Sequence, residues 1–194
     1  MANLLRQMNG ELAAVAGEAR RSLVTIGNGR SGVGAGTIWH SDGLILTNAH
    51  VVQLSAPLVS LPDGRSRPAR ILAHDDKLDL AALGVDASGL PTIELGKSKQ
   101  LRPGQWVLAL GHPWGVAGAA TAGVIIGMGP PPEMGWPNRE LIHASLRLRP
   151  GHSGGPMVDT HGRLVGINTM MAGPEVALAV PLHVVKAFLH QALA

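Results

Sequence analysis

Gly151-His152-Ser153-Gly154-Gly155-Pro156 places one hydroxyl among three glycines and a proline. Upstream lie Thr47-Asn48-Ala49-His50 and Asp79-Leu80-Ala81, so that a base, an acid and a nucleophile follow one another in the order His50, Asp79, Ser153. Those are the parts needed for acyl transfer to serine: the base takes the hydroxyl proton and the acid orients the base. Gly151 and the pair after Ser153 supply the backbone freedom of a tight turn. Such a turn can aim the N–H groups of Gly151 and Ser153 at one point and form an oxyanion hole.

The same hexapeptide satisfies Gly-x-Ser-x-Gly, the nucleophile elbow of α/β-hydrolases, which needs a helix after the serine and then acid and base downstream. Here Pro156 to Asp159 and the Asp159-Thr160-His161-Gly162 turn read as a hairpin. Asp159 and His161 lie too close together to wrap around the serine, and only about forty residues remain. The elbow match is therefore coincidental. Asp79 follows His50 by 29 residues and Ser153 follows by a further 74, which puts base and acid in the first half of the chain and nucleophile in the second. Asp75 and Asp76 compete with Asp79 as the acid. Asp79 is preferred because it begins the apolar strand Leu80 to Val85, where a carboxylate is costly unless paired, and a bond from His50 Nδ1–H would offset that cost.

Composition agrees with a body of short strands. The 194 residues are 45% hydrophobic and include 26 glycines and 14 prolines with no collagen-like period, enough for one catalytic unit and many turns. Four tryptophans, one phenylalanine and no tyrosine leave few stacking platforms, and the +3 charge comes from scattered arginines such as Arg65, Arg67 and Arg70, so no nucleic-acid partner is expected. With no cysteine there is neither a disulfide framework nor thiolate chemistry. The histidines other than His50 (His40, His74, His112, His143, His152, His161, His183 and His190) form no ligand pattern, so neither metal nor cofactor is expected. Met1 to Gly10 lacks the apolar run of a secretory signal, and no 18-residue apolar stretch suggests a membrane span.

Periodicity divides the chain into an N-terminal helical arm, residues 1–21, and a domain over 22–194. Leu4, Met8, Leu12 and Val15 recur at helical spacing in the arm, which packs on its own domain or on another subunit. Strands are expected at 22–27, 35–40, 44–47, 57–61, 67–74 and 79–85, and again at 105–110, 119–127, 140–146, 156–159, 163–169 and 176–180. The expectation is an all-β fold of two six-stranded antiparallel barrels, about 22–90 and about 104–180, closed by a C-terminal helix over 182–193 that starts after Pro181. The proline-rich stretch 128–139 reads as padding or as a lid.

Taken together, Gly34-Ala-Gly36, Asp42 through Val52, Asp79-Leu-Ala-Ala-Leu83, Gly104 through Gly115, Gly151 through Pro156, Gly162-x-x-x-Gly-Ile-Asn-Thr169 and Ala179-Val-Pro181 resemble the HtrA/Deg family of chymotrypsin-like serine proteases over roughly 22–190. The resemblance implies two perpendicular barrels and an ATP-independent endopeptidase for unfolded or misfolded proteins, cutting after small aliphatic residues and serving protein quality control. It also implies a homotrimer, and a cell-envelope or periplasmic location; otherwise the cytoplasm is expected. Relatives usually carry PDZ domains, whereas this chain runs thirteen residues past Pro181 and is either without one or cut from a longer protein. His152 stands where the family often has Asn, and its side chain is expected to face away from substrate. Arg147 falls at the base of the primary specificity pocket: pointing inward it selects acidic residues or blocks the pocket, and pointing to solvent, the reading favoured, it leaves the small aliphatic preference intact. Asn168, Thr169, Met170 and Met171 are the expected substrate-binding edge. The rival functions are a protease-fold binding or chaperone module resting inactive, and an esterase for small esters.

Overall fold

A computed structural model describes residues 2–27, 32–52, 57–131 and 139–193. Twelve strands close into two barrels. The first is formed by β1 (Leu23–Gly27), β2 (Gly32–His40), β3 (Leu44–Thr47), β4 (Leu58–Ser60), β5 (Ser66–Asp75) and β6 (Leu80–Val85), in the spatial order β1-β2-β3-β6-β5-β4. The second is formed by β7 (Trp106–Gly111), β8 (Ala119–Gly129), β9 (Leu141–Ser145), β10 (Pro156–Asp159), β11 (Leu164–Met171) and β12 (Val176–Pro181), in the order β10-β11-β12-β9-β8-β7. All named pairings are antiparallel, and each sheet closes on itself. Helix α1 (Ala2–Ala19) precedes the first barrel, the single turn α2 (Ala49–Val52) follows β3, and α3 (Leu182–Ala192) ends the chain. The all-β reading of the sequence is thus the observed fold.

Why the strands read as near-continuous apolar runs follows from where the core lies. In β6, Ala81, Leu83 and Val85 fill the first barrel, while Leu80 and Ala82 point out of it into a second apolar mass between the barrels. β7 does the same from the other side, with Val107 and Ala109 inward and Leu108 and Leu110 in the shared mass. Successive side chains point to opposite faces of a strand, so a strand buried on both faces loses its alternation.

The C-terminal helix closes that shared core. Leu182, Val185, Phe188 and Leu189 project into it at helical spacing, and α3 touches β5 and β6 of one barrel and β11 and β12 of the other. It begins directly after Pro181, whose extended backbone (φ −63°, ψ 145°) delivers the chain into the first turn. Phe188, 5% exposed, is the only phenylalanine. Phe188→Ala is expected to cost about 3–5 kcal/mol of stability by lost burial and cavity formation. A urea midpoint unchanged by that substitution would contradict this role for α3.

Helix α1 packs Leu12, Val15, Ala16 and Ala19 on the same core, whereas Leu4, Leu5 and Met8 are exposed. The stretch 128–139 proposed as padding or lid is only partly visible: β8 continues to Gly129, Arg139 leads into β9, and 132–138 lie outside the described residues.

Candidate functional site

The cleft side of the first barrel is built from the ends of β3 and β6. β3 runs into α2, which carries His50, and the turn after β5 carries Asp79. Asp79 has a left-handed backbone (φ 55°), a region that Asp and Asn enter at less cost than other residues with a Cβ. The strand expected to begin at Asp79 begins at Leu80 instead, and this backbone turn is the reason.

Several donors hold Asp79 in that conformation. Its carboxylate accepts the His50 amide (3.1 Å to Oδ1) and the His50 ring, with Nδ1 at 2.9 Å from Oδ1 and 3.0 Å from Oδ2. An ionised carboxylate only accepts, so the imidazole proton belongs on Nδ1. The Thr169 hydroxyl donates to Oδ2 from the second barrel, and Asn48 Nδ2 donates to the Asp79 carbonyl at 2.9 Å. Burial alone would raise the pKa of Asp79, but the bonds from His50 and Thr169, with the His50 charge, outweigh it and hold the carboxyl below its ordinary value. Asp75 accepts the Leu78 amide at 2.9 Å, and Asp76 lies out in solvent; neither meets His50.

Thr169 reaches across because β11 is irregular there. The register with β12 shifts between Asn168 and Met170, which leaves Thr169 as the extra residue of a bulge, and bulges re-aim side chains. The side chain is buried and is committed to Asp79. Asn168 is fully buried as well: its Nδ2 donates to the carbonyls of Leu110 and Pro156, both at 3.1 Å. Both side chains are thus consumed in joining strands, and the substrate contact expected of this edge was one of its backbone. Met170 and Met171 are half-buried, and Met171 Sδ accepts the Leu148 amide at 3.2 Å. Arg147 is turned outward, its side chain 47% exposed and paired with Glu175.

The turn that carries Ser153 is wedged between the barrels. Ala35 N–H donates to the Ser153 carbonyl (2.8 Å), Thr37 Oγ1 to the Gly154 carbonyl (3.2 Å), and Thr47 Oγ1 to the Ala35 carbonyl (2.8 Å). A Cβ on Gly154 (φ 83°) would lie 2.1 Å from the Ala35 oxygen, and one on Gly151 (φ 104°) 2.5 Å from the His112 oxygen. Left-handed backbone and close approach together require glycine at both positions. The amides of Gly151 and Ser153 have no hydrogen-bond partner among the described residues. Ser153 Oγ donates to the Thr169 carbonyl at 2.9 Å and not to the His50 ring, which differs from the direct base–nucleophile bond expected of the three residues.

Sequence reasoning passed over Asn48, Thr37, Thr47 and Arg139. Arg139, with its side chain 11% exposed, donates to the Leu78 carbonyl (2.9 Å) and stands 3.9 Å from Asp79 Oδ2; burial lowers its pKa, opposed by Asp79 and Asp75. Thr47 and Asn48, which lie in the quoted stretch Thr47 to His50, carried a local signal, and Thr37 and Arg139 did not.

Two closed six-stranded barrels with His50 and Asp79 on one and Ser153 on the other define the chymotrypsin-like class. The family model described as a trypsin-like peptidase domain matches residues 34–167. The chain is 42% identical over 166 residues to the mitochondrial serine protease HTRA2 of Drosophila pseudoobscura pseudoobscura, covering 82% of this chain and 39% of that protein. It is 37% identical over 157 residues to the putative serine protease HhoB of Synechocystis, covering 78% of this chain and 38% of that one. Among solved structures, the HtrA-type protease AlgW with a decapeptide superposes with a TM-score of 0.86 at 26% identity, over 94% of this chain and 67% of that one. AlgW with a tripeptide gives 0.85 at 31% identity, over 93% and 62%. The chain belongs to the HtrA family of trypsin-like serine proteases, and spans about 39% of the length of the fly relative.

Proposed function

We propose that the chain is a serine endopeptidase domain acting through an acyl-enzyme, with His50 as base, Asp79 as the residue that orients it, and Ser153 as nucleophile. The observation that supports this most is the Asp79 carboxylate, clamped by the His50 ring and amide and by Thr169, beside a nucleophile turn whose Gly151 and Ser153 amides are unpaired. A change of Ser153 rotamer moves its hydroxyl from the Thr169 carbonyl toward His50 Nε2, a motion far faster than turnover. His50 then takes the proton as Oγ attacks the peptide carbonyl. The unpaired amides stabilise the developing oxyanion, the imidazolium protonates the leaving amine, and water releases the acyl group by the reverse route.

Substrates are read as extended segments of unfolded or misfolded proteins, in a quality-control role. β10 pairs with β11 only as far as Ile167 and Asn168 is bonded to Gly154 and Gly155, so the backbone of Met170 and Met171 has no β10 partner and can take an added strand, with the Thr169 carbonyl joining once Ser153 Oγ leaves it. With Arg147 outward and neutralised by Glu175, small aliphatic residues suit the primary pocket beside Met171 and Leu148. No described helix is long and apolar enough to cross a membrane. Incubation with a fluorophosphonate probe tests the reading. Rapid labelling that disappears in Ser153→Ala is expected. An unlabelled protein that still binds unfolded clients would favour the binding module instead.

Thr169 acts through Asp79 and is a positioning residue. Thr169→Val removes one donor to the carboxylate and is expected to lower kcat/KM about tenfold, the equivalent of one modest hydrogen bond. Thr169→Ser should restore most of it, and a serine variant as impaired as the valine one would show that only packing was lost.

A further inference from the structure

Arg139 lies two residues ahead of β9, and its guanidinium reaches to the first barrel. Nη2 donates to the Leu78 carbonyl at 2.9 Å, and the same nitrogen stands 3.9 Å from Asp79 Oδ2. Both side chains are withdrawn from water, that of Arg139 being 11% exposed and that of Asp79 7%. A charge so placed acts on its neighbour with far less screening than at the surface. The Leu78 carbonyl belongs to the peptide that enters the left-handed Asp79, and the carbonyl that leaves it accepts Asn48 Nδ2 at 2.9 Å. The backbone is thus pinned on both sides of the acid. Oδ2 is also the oxygen that accepts the Thr169 hydroxyl, so the second barrel presents to it one neutral donor and one cation.

We propose that Arg139 is a positioning residue whose charge, acting through Asp79, weakens the carboxylate's hold on a proton at His50 and so keeps the base neutral into mild acid. The inference rests on the catalytic reading above. An imidazolium at His50 gains from the Asp79 anion, 2.9 Å from Nδ1, and loses from the guanidinium beside that anion. With the cation in place the field of the carboxylate at the ring is partly cancelled, and less of the enzyme is held with a protonated base as pH falls. Burial lowers the pKa of Arg139 against the pull of Asp79 and Asp75, yet a guanidinium stays charged throughout the working range of an enzyme. Other charged groups border the same turn. Asp75 accepts the Leu78 amide at 2.9 Å, His74 has Nε2 3.4 Å from the Ala49 carbonyl and Nδ1 3.9 Å from Asp76, and Lys77 is exposed. These groups are common to the wild type and to variants at Arg139, so a comparison between them isolates the guanidinium.

Arg139→Gln keeps an amide donor for the Leu78 carbonyl and removes the charge, whereas Arg139→Lys keeps the charge. For casein cleavage, kcat/KM at about pH 8 should change less than about threefold in Arg139→Gln. Its ratio between about pH 6 and about pH 8 should fall about three- to tenfold, the equivalent of about half to one pH unit in the acid limb. Arg139→Lys should return that ratio to within about twofold of the wild type. Identical profiles for wild type and Arg139→Gln, or a lysine variant as impaired in acid as the glutamine one, would overturn the proposal and leave Arg139 a clamp on the turn. If glutamine there prevents folding, Arg139→Met removes the same charge and is read in the same way. A readout independent of proteolysis is the His50 Nδ1–H proton resonance in the Ser153→Ala protein. Loss of the cation strengthens Asp79 as acceptor, so the resonance should move downfield with Arg139→Gln and stay in place with Arg139→Lys. A resonance unmoved by glutamine would refute the role of the charge. One that moves as expected in a protein whose wild type cleaves nothing would uphold that role and place the failure in the catalytic reading.

Discussion

Ser153→Ala is expected to reduce turnover of an unfolded protein such as casein by about 10⁶, roughly 8 kcal/mol of barrier. The loss is that large because nucleophile, base and orienting acid act as one unit, leaving only the oxyanion amides and substrate binding. The fold should tolerate the change. Ser153 Oγ makes one hydrogen bond, to the Thr169 carbonyl, and the turn itself is held by backbone bonds from Ala35 and to Asn168. Wild type and variant should therefore share a melting temperature while differing in casein loss. Equal degradation by both proteins would remove Ser153 from the mechanism.

The second large effect is expected at Asp79. Asp79→Asn should keep the fold, since asparagine enters the left-handed region as readily and still accepts from Thr169 or His50. Turnover at neutral pH should nonetheless fall about 10⁴-fold, because an amide does not hold the His50 proton on Nδ1 and the ring adopts the wrong tautomer. The pH dependence of stability gives an independent check. The folded carboxyl lies below its ordinary value of 3.8, so its stabilisation is complete above about that pH and disappears as pH falls through the lower folded value. The wild type should lose melting temperature faster than Asp79→Asn on going below pH 4. A full-rate Asp79→Asn enzyme would return the orienting role to Asp75 or Asp76, whose placement away from His50 argues against it.

The barrels were legible because their cause is local. Short apolar runs separated by Gly and Pro turns mark twelve strands, and the observed ends differ from the expected ones by a few residues. What misled was position at the ends of elements. Asp79 reads as the start of an apolar strand, yet its left-handed backbone places it just outside. Asn168 and Thr169 read as part of an edge strand, and nothing in that reading placed their side chains: a bulge turns Thr169 across to Asp79, and burial consumes the Asn168 amide. Neither the bulge nor the partner 90 residues away leaves a periodic trace.

By itself the order of residues determined the fold class and the three groups proposed to perform the chemistry, because base, acid and nucleophile must be particular residue types in particular halves of the chain. Only the tertiary structure decided which acid meets His50, that Thr169 spans the two barrels, and that the resting Ser153 hydroxyl is bonded to a carbonyl. It also decided that His152 is buried, with its amide bonded to the Arg149 carbonyl. These are hydrogen bonds between residues distant in sequence or turned by irregular backbone, and their direction depends on how the two barrels pack around a shared core.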